Sequence, residues 1–256
     1  MANLYRMDLY RMRKAASFRT CLILAFLLAL ISTPMAELMN LLVKLISTDL
    51  PESEKAVNLS ELLASPISRL NTMLALISIC SFFYADVENG YIKNIAGQMP
   101  KKGYTVLSKF LASVPHSLVF MLVSLAGDLL GTVFFRKILI DAAVLSSLWI
   151  FVLKLLLLEG LCAILLLFTA ALQSKALGTV FSVLFGLGLL GLVYLGIDAG
   201  LDRLFPKKSF LISDYMPDQL LSEAKPDTWT ALIVSALCIL VFLWLSVRIF
   251  DKKDVK

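Results

Sequence analysis

Lys154 and Glu159 interrupt the most apolar run of the sequence, residues 144–172, which holds 18 Leu, Ile, Val and Phe residues. A charge at the centre of a membrane helix costs about 2.5–3.5 kcal/mol on insertion scales, and each large aliphatic residue offsets roughly 0.3–0.6 kcal/mol of it. The helix still inserts, by a narrow margin. Spaced five apart, the two side chains stand about 140° apart around the helix axis, so they are a poor mutual pair. Each must therefore face a partner, a wet cavity or the interior of a bundle. An ion pair with another span is the expected arrangement, and the polar lining of a transport path is the functional alternative.

The other reactive residue types do not assemble into a centre. His116 is the single histidine; one imidazole makes neither a metal site nor a histidine relay, and it reads as an interfacial residue. Cys21, Cys80, Cys162 and Cys238 all lie in apolar runs and read as small buried hydrophobes, not as disulfides or zinc ligands. Gly186, Gly188 and Gly191 spell GLGLLG, the letters of the dinucleotide fingerprint. That fingerprint needs a strand before it and an acidic partner after it. Here it lies in a continuous apolar run, so the glycines read as small residues that let helices approach or slide. With no GxxxxGK[ST], HExxH or GxSxG in the chain, no catalytic residue, metal or cofactor is assigned to it.

The elements around these residues follow from composition. Of the 256 residues, 59% are hydrophobic and only 17% charged, against about 25% charged in soluble domains. The expected fold class is an all-α membrane protein, a single transmembrane domain of six spans with no sizeable domain outside the bilayer. The spans fall at about 20–45, 67–84, 110–130, 144–172, 179–197 and 229–250. STPMA before Glu37 imitates a signal-peptide cleavage site, but hydrophobicity resumes at Leu38, so the first span reads as uncleaved and kinked near Pro34. Residues 3–16 form an amphipathic helix with Leu4, Tyr5, Leu9, Met12, Ala15 and Ala16 on one side and Arg6, Arg11, Arg13 and Lys14 on the other. Only Asp8 sits awkwardly, on the apolar side. Residues 198–228 are too apolar for a free loop and too short to span twice, so short helices at the outer interface are expected there. The net charge of +5 is not a nucleic-acid signal, because the basic residues cluster beside apolar runs. Placing both termini, residues 86–109 and Lys175 inside puts fourteen Lys/Arg on that side and nine outside. The positive-inside rule favours that orientation in a cell membrane.

The most polar stretch of the middle of the chain is DVENGYIKNIAGQMPKKGYTVLSKF, residues 86–110. Asp86 and Glu88 are placed to cap and charge a helix N-terminus. Val87, Tyr91, Ile92, Ile95 and Ala96 share one face, and Gly97 with Pro100 stops the helix. A helix over about 86–97, roughly 15 Å long, displays Glu88, Lys93 and Asn94 with Lys101, Lys102 and Lys109 behind it. A short capped helix between two spans is a device for touching another protein; the plain alternative is a solvated connection.

The order of these parts resembles the type-2 permeases of ABC exporters. The likeness is sharpest in ENGYIKNIAGQMPKKGYTVLSKF, residues 88–110, where the family typically carries acidic–x–Gly–x–Ile–Lys–Asn, a basic cluster, and Ser-Lys at the next span. SKALG at 174–178 also looks family-like, while Lys101 and Lys102 stand where members often carry Arg. The resemblance implies that residues 86–97 are a coupling helix. Asp86, Glu88, Asn89, Gly90, Tyr91, Lys93 and Asn94 would dock on a separate ABC-type ATPase subunit, which would hold the ATP and Mg. Residues 3–16 would be an elbow helix, and a second permease chain would complete a path lined by the first, second and fifth spans. The expected function is outward movement of amphipathic or hydrophobic cargo, such as peptide, drug or lipid-like molecules, and the chain itself is not an enzyme. Two other readings stay open: a self-contained secondary transporter or channel, and a non-transporting immunity or scaffold subunit.

Overall fold

The computed structural model describes residues 2–46, 56–88, 103–204 and 211–252. Most of the expected coupling helix, residues 89–97, lies outside them.

The chain is mostly helical. α1 (Ala2–Lys14) precedes α2 (Ala16–Ile46), which continues through Pro34. After the short strand β1 (Ala56–Asn58) and α3 (Leu59–Ala64) comes α4 (Arg69–Glu88). α5 (Gly103–Phe135) leads to β2 (Lys137–Leu139) and α6 (Val144–Leu172). α7 (Lys175–Gly186) and α8 (Gly191–Leu204) follow. A 3-10 turn (Ser213–Tyr215), α9 (Pro217–Ser222) and α10 (Thr228–Lys252) complete the order. Five helical stretches are long and apolar enough to cross a membrane: Ala16–Val43, Leu59–Asp86, Gly103–Phe135, Val144–Leu172 and Thr228–Lys252. The count rises to six if α7 and α8, which meet at 68°, are one broken span.

The fifth span is thus not the continuous helix expected over 179–197. Residues 187–190 form a turn, with Gly188 at φ +69°, a left-handed value that a side chain would resist. The arginine of Arg69 fills the break by donating to the Leu187 carbonyl at 3.0 Å, an orphan of the α7 terminus. Of the three glycines, Gly188 makes the break, Gly191 starts α8 close to the Gln219 side chain, and Gly186 packs against the backbone of Met73.

α6 is the most enclosed helix, with α10, α3 and α9 packed along it, while α2 lies along α5 and α4 along α7. The α2–α5 seam is set by Gly127 and Gly131, four apart. A Cβ on Gly127 would sit 2.8 Å from the Phe26 carbonyl oxygen, and one on Gly131 would sit 2.6 Å from that of Leu30. This small-xxx-small pattern brings two backbones together. Ser32 donates to Asp128 at 2.7 Å and Thr33 meets Thr132 at 3.3 Å along the same seam.

At one end of the bundle β1 pairs in parallel with β2, Ala56 opposite Lys137, and Ser60 donates to Asp141 at 2.6 Å. Arg136 pairs with Glu37 at 2.5 Å at this end. The segments 56–66 and 136–143 thus lie together at this end. α10 begins here with a side-chain cap, as Thr230 donates to Asp227 from its backbone N–H at 3.0 Å and its hydroxyl at 2.7 Å. These bonds hold the Asp227 carboxyl below the usual carboxylate range. A depressed folded-state value stabilises the fold above the unfolded value of about 3.9 and loses that contribution as pH falls through the folded value. Asp227→Ala is therefore expected to lower the melting temperature at pH 7. In thermal melts the gap to the parent should narrow as the pH drops below about 4.

Candidate functional site

The other end of the bundle carries a buried ion cluster. Asp8 lies on the same stripe of α1 as Leu4 and Met12, and all three are buried. Its position on the apolar side, awkward in the sequence, is satisfied by the Ser108 hydroxyl, which donates to it, and by Arg11 at 3.9 Å. Burial pushes the Asp8 carboxyl up, while the Ser108 hydrogen bond and the Lys109 charge pull it down. Arg11 also donates to Asp86, whose second oxygen meets Lys109 at 3.0 Å. Lys109 donates in turn to the Phe83 carbonyl at 2.7 Å. Asp86 and Lys109 are 4% and 6% exposed. Three elements, α1, the last turn of α4 and the first turns of α5, are tied through one carboxylate.

Asp86 and Glu88 do not open a new helix, as the sequence reading had it. They form the last turn of α4, which extends beyond Tyr84 because Asp86 is drawn into the cluster. Glu88 is exposed and pairs with Lys175 at 3.1 Å, a surface pair of little energetic weight. Asn89, Gly90, Tyr91, Lys93 and Asn94 lie outside the described residues. The geometry adds that both flanks of residues 89–102 are anchored on α1. The α5 start is held again where the Gly103 N–H donates to Asp251 at 2.7 Å, at the end of α10.

Lys154 and Glu159 point to different surroundings. The ion pair expected of each with another span is not formed among the described residues. Glu159 accepts from Ser113 at 2.7 Å and has the Ser117 hydroxyl nearby, and its other oxygen is buried without a hydrogen-bond partner within normal distance among the described residues. His116, read from the sequence as an interfacial residue, is packed inside the bundle in the same interior and is 1% exposed. Its ring lies against Phe18 and Phe120 with Nε2 3.1 Å from the Ser78 hydroxyl. A proline-preceded histidine near a polar stretch gave no hint of this, because the true length of α5 was not readable. Lys154 is 1% exposed and faces a cavity of about 260 Å³ shared with Arg69, Asp128 and Asp218. Among the described residues, no group of three or more His, Cys, Asp or Glu is set to hold a metal ion.

Sequence reasoning missed Asp8, Arg11, Ser108 and the Gly127/Gly131 seam as parts of the machinery. The glycine spacing was a readable signal, and an acid on an apolar face flanked by arginines was another. The chain matches no protein-family model and no curated protein.

Proposed function

We propose that this chain is the membrane-spanning permease subunit of an ATP-driven ABC exporter, paired with a second permease chain and with separate ATPase subunits. The observation that carries the reading is the ion cluster at Asp86. Ser108 and Lys109, the Ser-Lys of the family-like segment, are the residues that clamp α5 to α1 and to the end of α4. A segment held at both flanks by buried charges can pass a push from a docked neighbour into α4 and α5 rather than dissipate it in a loop. Closure of an ATPase dimer would then bias a two-state rearrangement of the helices. The broken α7–α8 element is a place where such a rearrangement can be absorbed. A path lined by apolar spans with few fixed charges favours amphipathic or hydrophobic cargo.

The rival reading is a self-contained secondary transporter. It is favoured by the 68° break and by buried ionisable residues, both common in that class. Purification from detergent separates the two. Co-purification of a phosphate-loop ATPase, lost on Gly90→Pro or on charge reversal at Glu88 and Lys93, is the expected result. Cargo movement in liposomes driven by an ion gradient without ATP would overturn the exporter reading.

A further inference from the structure

The cavity beside Lys154 is lined by two cations and two carboxylates that do not pair. Arg69 donates to the Leu187 carbonyl and, at 2.9 Å, to the Ser222 hydroxyl, both neutral acceptors. Lys154 makes no hydrogen bond or ion pair among the described residues, and the one carboxylate whose charge reaches it is the exposed Glu223. Asp128 accepts, among the described residues, from Ser32 at 2.7 Å. Asp218 is 4% exposed, accepts from Gln219 at 3.1 Å through Oδ2 and has the Tyr194 hydroxyl close to its carboxylate, while Oδ1 is buried with no hydrogen-bond partner within normal distance among the described residues. Lys154 and Asp218 are buried with no opposite charge within 4 Å among the described residues, which is costly unless something in the cavity completes the pairing.

We infer that this cavity binds a small zwitterion, with a phosphate or carboxylate held by Lys154 and Arg69 and an ammonium held by Asp218 and Asp128. The lining sums to zero formal charge, so a bare anion or a bare cation leaves half of it unmatched. At about 260 Å³ the space lies below the roughly 300–1,000 Å³ that takes drug-sized ligands, which limits the occupant to a headgroup-sized molecule. Access exists, because the rim residues Arg69 and Ser222 are exposed while Lys154 and Asp218 form the buried floor. The same chemistry is carried by a free phosphoethanolamine and by the headgroup of phosphatidylethanolamine. The inference does not rest on the exporter reading, since the site can hold its ligand whether or not the chain transports anything.

The test is calorimetric titration of the full chain in detergent with phosphoethanolamine, inorganic phosphate and ethanolamine. It is joined by native mass spectrometry of the chain released from nanodiscs of phosphatidylethanolamine or phosphatidylglycerol. Saturable binding of free phosphoethanolamine identifies a soluble zwitterion. Retention of phosphatidylethanolamine alone identifies a lipid headgroup, and either result supports the site. Lys154→Met and Asp218→Asn should each weaken that binding by roughly ten-fold or more, in line with removal of one partner of a buried charge pair. Both replacements remove a buried charge with little change of shape, and thermal melts of the unliganded variants report whether they fold. Should one fail to fold, Arg69→Gln at the rim replaces it. Phosphate or ethanolamine binding as tightly as the zwitterion would overturn the proposal. So would zwitterion binding indifferent to every folded variant, or none at all.

Discussion

Asp86→Ala is expected to destabilise the protein by about 3–5 kcal/mol, the usual effect of removing one partner from a buried ion pair. The carboxylate receives Arg11 and Lys109 together, so its loss strands Lys109, which is 6% exposed, beside an apolar wall. The Coulomb attraction of the pair is the smaller part of that loss; the larger is the desolvation of an ammonium left with only the farther Asp8 carboxyl as counter-charge. That distinction is measurable. Asp86→Asn combined with Lys109→Met should recover most of the stability lost in Asp86→Asn alone, because the stranded charge goes too. Thermal or denaturant unfolding of the four proteins forms the cycle. Additive losses, with no recovery in the double variant, would mean that the cluster is not the clasp described above. Asp8→Ala should be milder, since that carboxyl already sits above its ordinary range and gives up less charge stabilisation.

The second large effect is expected at Gly186. A Cβ there would lie 2.7 Å from both the backbone nitrogen and the Cβ of Met73, and backbone cannot move aside as a side-chain tip can. Gly186→Val should force α7 off α4, at about 1–3 kcal/mol for overpacking and more if the seam opens. Gly191→Ala is the contrast, because its Cβ would meet the amide end of Gln219 at 2.9 Å, a flexible tip that can swing away. Unfolding temperatures should therefore rank parent, Gly191→Ala and Gly186→Val in falling order. Equal melting of the two variants would show that the α4–α7 seam is looser than its geometry.

The helices were legible because membrane insertion demands long apolar runs, and runs are read directly. Their ends were not, since a helix end is decided by what its last turn touches. α4 reaches Glu88 because Asp86 finds Arg11 and Lys109 on other elements, and no local pattern announces that. The Gly188 break was hidden for the opposite reason: GLGLLG is as apolar as its neighbours, so hydropathy passed over a left-handed turn. Lys154 and Glu159 were visible as anomalies, but their surroundings come from α4, α5 and α9, which converge only in three dimensions. The β1–β2 pairing joins residues 81 apart along the chain, and neither three-residue strand has a pattern of its own.

The brevity of α7 has a consequence for the lipid around it. Twelve residues rise about 18 Å, against a hydrocarbon thickness of about 30 Å. α8 leaves at 68°, so its 14 residues add only about 8 Å of depth at 1.5 Å per residue. Should α7 and α8 form one broken span with α7 upright, acyl chains touching this flank would shorten or tilt by several ångströms, a dimple on one leaflet that the longer neighbouring helices do not require. The annulus of lipid is then thinnest beside the break, and short-chain or disordered lipids should gather there.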